Sequence, residues 1–191
     1  MTLNFYTKIK ILFLNFMFFS KHASFYRFLL KKIKFSKSQV FQDLFVLYFL
    51  NCKKNGNFIE IGGGNGVDIS NSYLLEKKHK WNGIICEPNS LLEESIKKNR
   101  SAELIKMQIT EKCKDKIAFY ENKDPYQSSV LKTETSQNKV FLESLCLNHL
   151  ILKKKLINKI DYISIDTEGN EYKRVFKYLS YMDDWYLMVA E

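Results

Sequence analysis

The chain has no acidic residue in its first 37 positions, no Cys-x-x-Cys pair and no apolar run long enough to cross a bilayer. Each absence removes a class of protein. Cys52, Cys86, Cys113 and Cys146 are spread too widely for a zinc site or a disulfide framework, so they read as reduced thiols, with Cys86 a small core residue in an apolar strand. His22, His79 and His149 fall at no spacing that suits a metal or a triad, and no metal ligands are assigned. The apolar run from Ile11 to Phe19 is well short of the about 20 residues a spanning helix needs. A cleavable signal is disfavoured because Lys21 interrupts the segment Ser20 to Ser24 where cleavage would fall.

Charge is equally uneven. The net charge is +9, yet eight of the 30 basic side chains lie in the first 37 residues, leaving 22 against 21 acids in the remainder. A nearly neutral core has no broad footprint for a phosphate backbone, so nucleic acid is not expected as a partner. The leader, residues 1–36, combines lysines with Phe13, Phe16, Phe18, Phe19, Phe25, Phe28 and Leu30. That pattern predicts one or two helices with aromatic faces, suited either to an anionic membrane interface or to packing on the core. Residues 37–191 form the single remaining domain, long enough for one core. Reduced thiols and an uncleaved leader together predict a cytoplasmic protein, peripheral at the inner membrane face if the leader meets lipid.

The most informative run is Glu60-Ile61-Gly62-Gly63-Gly64-Asn65-Gly66, an acid followed by alternating glycines directly after the strand signal Phe58-Ile59. Such a loop leaves the backbone bare where a strand turns into a helix, with N–H groups free to face a ligand. The dinucleotide fingerprint fails because its third glycine would fall at Val67, and no Gly-Lys-Ser or Gly-Lys-Thr follows for a P-loop. A helix is predicted over Ile69 to Lys80 with Ser70 as its cap. A second strand, Gly83 to Cys86, then ends on Glu87 and is stopped by Pro88, which places an acid 21 residues after Gly66. Nucleoside-binding folds carry a ribose-binding acid at about this separation.

A third run, Ile160 to Glu171, is an alternating strand entering an acidic turn. Ile163 and Ile165 are expected on one face and Ser164 and Asp166 on the other, with Asp166 at the carboxyl end where open α/β sheets bind ligands. Asp166 and Glu168 are the candidate catalytic pair, Asp166 to accept or orient a proton and Glu168 as its partner, with a divalent cation held by the same two carboxylates as the less favoured alternative; Glu171 reads as a helix-start acid. Elsewhere, Leu91 to Arg100 reads as helix, Ala102 to Ile109 and Ile117 to Tyr120 as strands, Asn122 to Asn138 as a polar loop of the lid or substrate-binding kind, and Val140 to Lys155 as helix.

Five blocks in order resemble the FkbM family of S-adenosylmethionine-dependent methyltransferases: Ser38-Gln39 with Gln42 to Leu47, Phe58 to Gly66, Ser70 to Leu74, Gly83 to Asn89, and Ile160 to Glu171. The resemblance implies an α/β, Rossmann-like core and O-methylation of a sugar, glycan, lipid or secondary metabolite. It implies that Glu60, Gly62, Gly64 and Gly66 hold the methionine end of S-adenosyl-L-methionine, Glu87 the ribose and Asn71 the carboxylate, with Gln39, Gln42 and Asp43 closing over the cofactor. Family members continue past the strand ending at Glu191 with a helix and an antiparallel strand pair, so a sheet lacking that pair, its edge completed by an oligomeric partner, is expected. A cofactor-binding scaffold without turnover, and an RNA methyltransferase with a basic arm, are the competing expectations.

Overall fold

The computed structural model describes residues 23–110, 113, 115–155, 159–166 and 186–189. Residues 1–22 of the leader, and Glu168 and Glu171, lie outside them.

The fold is built on a five-stranded parallel sheet. Its strands are β1 (Asn57–Ile61), β2 (Asn82–Cys86), β3 (Glu103–Ile105), β7 (Tyr162–Ile165) and β8 (Tyr186–Val189), in the order β3-β2-β1-β7-β8. A parallel sheet must bury both faces, and the alternation of each strand sorts its side chains accordingly. Ile59, Ile61, Ile84, Cys86, Ile163 and Ile165 enter one apolar cluster, while Phe58, Ile85 and Tyr162 enter the other. The predicted split of Ile163 and Ile165 from Ser164 follows the same pleat.

Among the described residues, two α-helices precede the sheet, α1 (Ala23–Lys32) and α2 (Gln42–Phe49). Phe25 and Phe28 of α1 stack on Phe45 and Tyr48 of α2 with centroids 4.9–5.8 Å apart, and Phe28 and Leu29 reach the second core cluster. This part of the leader therefore packs on the core through one face. No helix among the described residues is long and apolar enough to cross a membrane.

Helix α3 (Tyr73–His79) follows the glycine loop but starts later than its predicted Ile69. Ser70 still serves its end, because its hydroxyl accepts the Tyr73 N–H at 3.1 Å. The predicted helix over Leu91 to Arg100 begins as a 3-10 turn (Ser90–Leu92), with Asn89 Oδ1 accepting from Leu91 N–H, and continues as α4 (Glu93–Asn99).

Three corrections concern the middle of the chain. The expected single strand Ala102 to Ile109 is two strands in different sheets, β3 and β4 (Gln108–Thr110). The expected helix from Val140 is instead β6 (Ser136–Cys146), and only Leu147–Lys153 is helical (α5). Pairing overrides the local pattern there: β6 runs antiparallel to β5 (Lys116–Asn122) and parallel to β4, so most of its backbone is satisfied by a ladder. Finally, Cys113 and Cys146 form a disulfide with Cα atoms 4.7 Å apart. The β4–β6 register sets Thr110 opposite Cys146 and thereby brings together two thiols 33 residues apart. The premise of fully reduced thiols, on which the cytoplasmic expectation leaned, does not hold for this pair. Thiol titration in denaturant without reductant is expected to count two thiols, Cys52 and Cys86, and four after reduction. Four at the outset would contradict the pairing.

Candidate functional site

The sheet order reverses at β1, whose neighbours β2 and β7 lead in opposite directions. A crevice at the carboxyl ends of the strands is expected at such a switch point. A cleft open to solvent lies there, walled by Gly62, Gly63, Gly64, Glu87 and Asp166 on its polar side. Leu92, Met107, Ile109 and Phe119 supply an apolar side, and Tyr126, Ser128 and Ser129 come from the polar loop.

The glycine loop owes its shape to close approach. Gly62 has φ +83°, and a Cβ there would lie 1.7 Å from the backbone oxygen of Asp166. Only glycine lets the loop touch the β7 terminus in this way. Gly64, at φ +52°, would carry its Cβ toward the Tyr126 ring. The expectation of N–H groups aimed at a ligand is revised at three positions. Gly62 N–H donates to Cys86 O (2.9 Å), Gly66 N–H to Gly63 O (2.9 Å) and Gly64 N–H to Glu87 Oε2 (3.0 Å). These glycines thin the wall and tie the loop to β2.

Glu87 is the best-placed acid. Beyond the Gly64 bond, its Oε1 accepts from Asn89 N–H at 2.9 Å, which leaves further lone pairs on both oxygens. Burial pushes its carboxyl up to about 7, against the lowering pull of the Asn89 and Gly64 N–H groups and with a further push from the Glu60 charge. Asn89 also donates through Nδ2 to Pro125 O (3.1 Å) and Ser128 Oγ (3.3 Å), pinning the polar loop beside the acid. Asn89 closes the Gly83 to Asn89 block, but its link to the polar loop is not readable from sequence, and Tyr126 belongs to none of the blocks; the available signal is the Ser128-Ser129 pair in a polar segment.

Asp166 sits where β7 ends, its N–H donating to Ile61 O at 2.9 Å, and it borders the cleft beside Gly62. The structure therefore unites Gly62, Gly64, Glu87 and Asp166 in one cleft.

The other sequence-derived residues lie elsewhere. Glu60 shares the pleat of Phe58 and faces the helices, on the sheet face opposite Ile59 and Ile61. Its carboxylate accepts from Ser70 Oγ (3.1 Å), Asn71 N–H (2.6 Å) and Ser72 Oγ (2.6 Å). Asn71 is buried, donating through Nδ2 to Ser164 Oγ (2.9 Å) and meeting the Ser38 hydroxyl at 2.7 Å. Asp43 is buried in the first turn of α2, where its carboxylate accepts from Ser36 Oγ and Lys37 N–H. Burial raises its carboxyl, and those bonds offset the rise only in part. Gln42 is buried and Gln39 is exposed.

One residue organises this layer and escaped the sequence reading. Arg100 has a fully buried side chain that donates to Glu76 Oε2 (2.8 Å), Ser72 Oγ (2.7 Å), Ser70 Oγ (3.0 Å) and the Gly66 carbonyl (3.0 Å), with Glu60 Oε2 at 3.5 Å. It joins the C-terminal side of α4, the start of α3 and the end of the glycine loop. Its place after three polar residues, Lys97, Lys98 and Asn99, gave no hint of burial. Burial pushes the Glu76 carboxyl up, but the Ser101 N–H and the Arg100 charge prevail and hold it below its ordinary value.

A parallel sheet reversing at β1, with a glycine loop at its switch point and an acid closing β2, defines a Rossmann-like α/β class. The model of the methyltransferase FkbM domain matches residues 60–179, nearly two thirds of the chain, and the protein belongs to that methyltransferase family. Neither a curated protein nor a solved structure matches it.

Proposed function

We propose that the protein uses S-adenosyl-L-methionine to methylate a hydroxyl group of a sugar, glycan, lipid-linked or secondary-metabolite acceptor. The observation that carries this reading is the convergence of Gly62, Gly64, Glu87 and Asp166 on one cleft at the ends of β1, β2 and β7. The cleft suits the cofactor's two halves: a buried carboxylate with spare lone pairs for ribose hydroxyls, and an apolar lining of Leu92, Met107, Ile109 and Phe119 for a flat base. The cofactor supplies an activated methyl group on a sulfonium. Gly62 and Gly64, having no side chains, give the methionine end room against the Asp166 backbone.

The chain's contribution to transfer is positioning and proton handling. Methyl displacement is in line, so holding an acceptor oxygen against the donor carbon supplies much of the rate. Asp166 borders the cleft where an acceptor hydroxyl would approach and serves as the group that takes or orients its proton. Glu168 is its proposed partner.

Incubation with methyl-labelled cofactor and a panel of polyhydroxylated acceptors tests this reading. Label is expected in a base-stable methyl ether. Asp166→Asn is expected to cut the rate about a hundredfold or more, with cofactor affinity retained. Label appearing in a base-labile ester or on nitrogen would contradict hydroxyl methylation.

A further inference from the structure

Helix α1 uses one face to pack and leaves another apolar face outward. Phe25, Phe28 and Leu29 point to α2 and the core, whereas Tyr26, Leu30 and Ile33 recur at helical spacing on the surface. Leu30 is 64% exposed, and the stripe continues into Phe35 and Val40. Six of the eleven exposed large apolar side chains among the described residues fall between Tyr26 and Phe49. Scattered single apolar residues need no explanation, but a concentration in one segment does.

Cations border the same stripe. Arg27, Lys31 and Lys34 follow Tyr26, Leu30 and Ile33 one position along, Lys32 and Lys37 adjoin them, and Lys34 Nζ lies 5.0 Å from the Phe35 ring centroid. The first acid of the chain, Asp43, is buried, so nothing exposed in α1 or the segment after it opposes this charge. An apolar stripe flanked by lysines with no acid among them matches the electrostatics of an anionic lipid surface.

We infer that the outward face of α1 and the segment through Val40 is a docking surface for an anionic bilayer. Tyr26, Leu30, Ile33 and Phe35 enter the headgroup boundary, and the lysines remain at the phosphate level. The surface also has a defined relation to the cleft. Ser38, two residues before Val40, forms a β-bridge with Ile69, and Ile69 lines the cleft. Docking through this face places one edge of the cleft beside the lipid. The inference rests on α1 and its charges and is independent of which acceptor is methylated.

Flotation of the full chain with vesicles of phosphatidylcholine, alone or mixed equally with phosphatidylglycerol, tests it. Binding is expected to the mixed vesicles only and to weaken in high salt as the lysine attraction is screened. The surface variants L30S/I33S and K31E/K34E are each expected to lower partitioning about tenfold or more. Both should keep the wild-type melting temperature, since these side chains are outside the core. Absence of vesicle binding, equal binding to neutral vesicles, or undiminished binding by L30S/I33S would overturn the inference. So would retention of RNA rather than vesicles by the same chain.

Discussion

Arg100→Met is expected to destabilise the protein by about 3–5 kcal/mol, the range for removing one partner of a buried ion pair. For a chain of this size the melting temperature falls by about 10 °C. The magnitude follows from what stays behind. Glu60 and Glu76 are both buried, and the guanidinium is the buried cation that meets both; Lys77, partly exposed, reaches only the other oxygen of Glu76 at 3.1 Å. Methionine fills much of the volume but leaves Glu76 without its 2.8 Å partner and the Gly66 carbonyl without its donor.

The loss has a pH signature. Glu76 is held below its ordinary value in the folded state, so the stability it contributes is present above the unfolded pKa and is lost as pH falls through the folded one. Without Arg100 part of that contribution is already missing, since the Ser101 N–H and Lys77 stay on the carboxylate. The deficit of Arg100→Met relative to wild type should therefore narrow in acid. Adding Glu76→Gln should recover part of the loss, as coupled sites are non-additive. A loss below about 1 kcal/mol, typical of exposed pairs, would show that the guanidinium does not support the loop in the way the geometry indicates.

The second large effect concerns Glu87. Its carboxyl in the free protein is raised to about 7 by burial, so ribose hydroxyls that need an ionised acceptor must compete with a proton below that pH. Cofactor affinity is expected to be flat above about pH 8 and to fall about tenfold per unit well below 7, with about half a proton released on binding at pH 7. Glu87→Gln should abolish the pH dependence and weaken binding by about 2 kcal/mol, roughly thirtyfold, the scale of a hydrogen bond to a charged group. Stability moves the other way. A raised folded pKa gives a contribution that is full below the unfolded value and is lost as pH rises through about 7. The melting-temperature difference, wild type minus Glu87→Gln, should therefore shrink as pH rises from 5 to 8. Calorimetry in two buffers of different ionisation enthalpy reads the proton directly. A pH-independent affinity in the wild type would remove Glu87 from the ribose site.

Much of this cleft was legible in the sequence because its parts are local. The glycine run, the acid that ends β2 and the alternation before Asp166 are each contained in fewer than ten residues, and the parallel order brings their ends together. What escaped notice depends on pairings across long stretches of chain. Val140 to Cys146 carries a helical stagger but lies between two strands, and the ladder decides its form. Cys113 and Cys146 meet only through that ladder. Glu60 reads as a cofactor ligand beside its glycines, yet the pleat turns its carboxylate to the opposite sheet face, where Ser70, Asn71 and Ser72 occupy it. Arg100 is invisible for a related reason. Its burial requires two carboxylates, at positions 60 and 76, that only the folded chain brings to it.

Titration of the purified chain with S-adenosyl-L-methionine by calorimetry tests the central claim most directly, with Gly64→Val as the comparison. Valine at φ +52° would be strained and would project toward Tyr126 across the cleft. The account predicts saturable one-to-one binding in the wild type and its loss in a Gly64→Val protein that retains the wild-type circular dichroism. No binding by the folded wild type, or equal binding by the variant, would contradict the placement of a cofactor in this cleft.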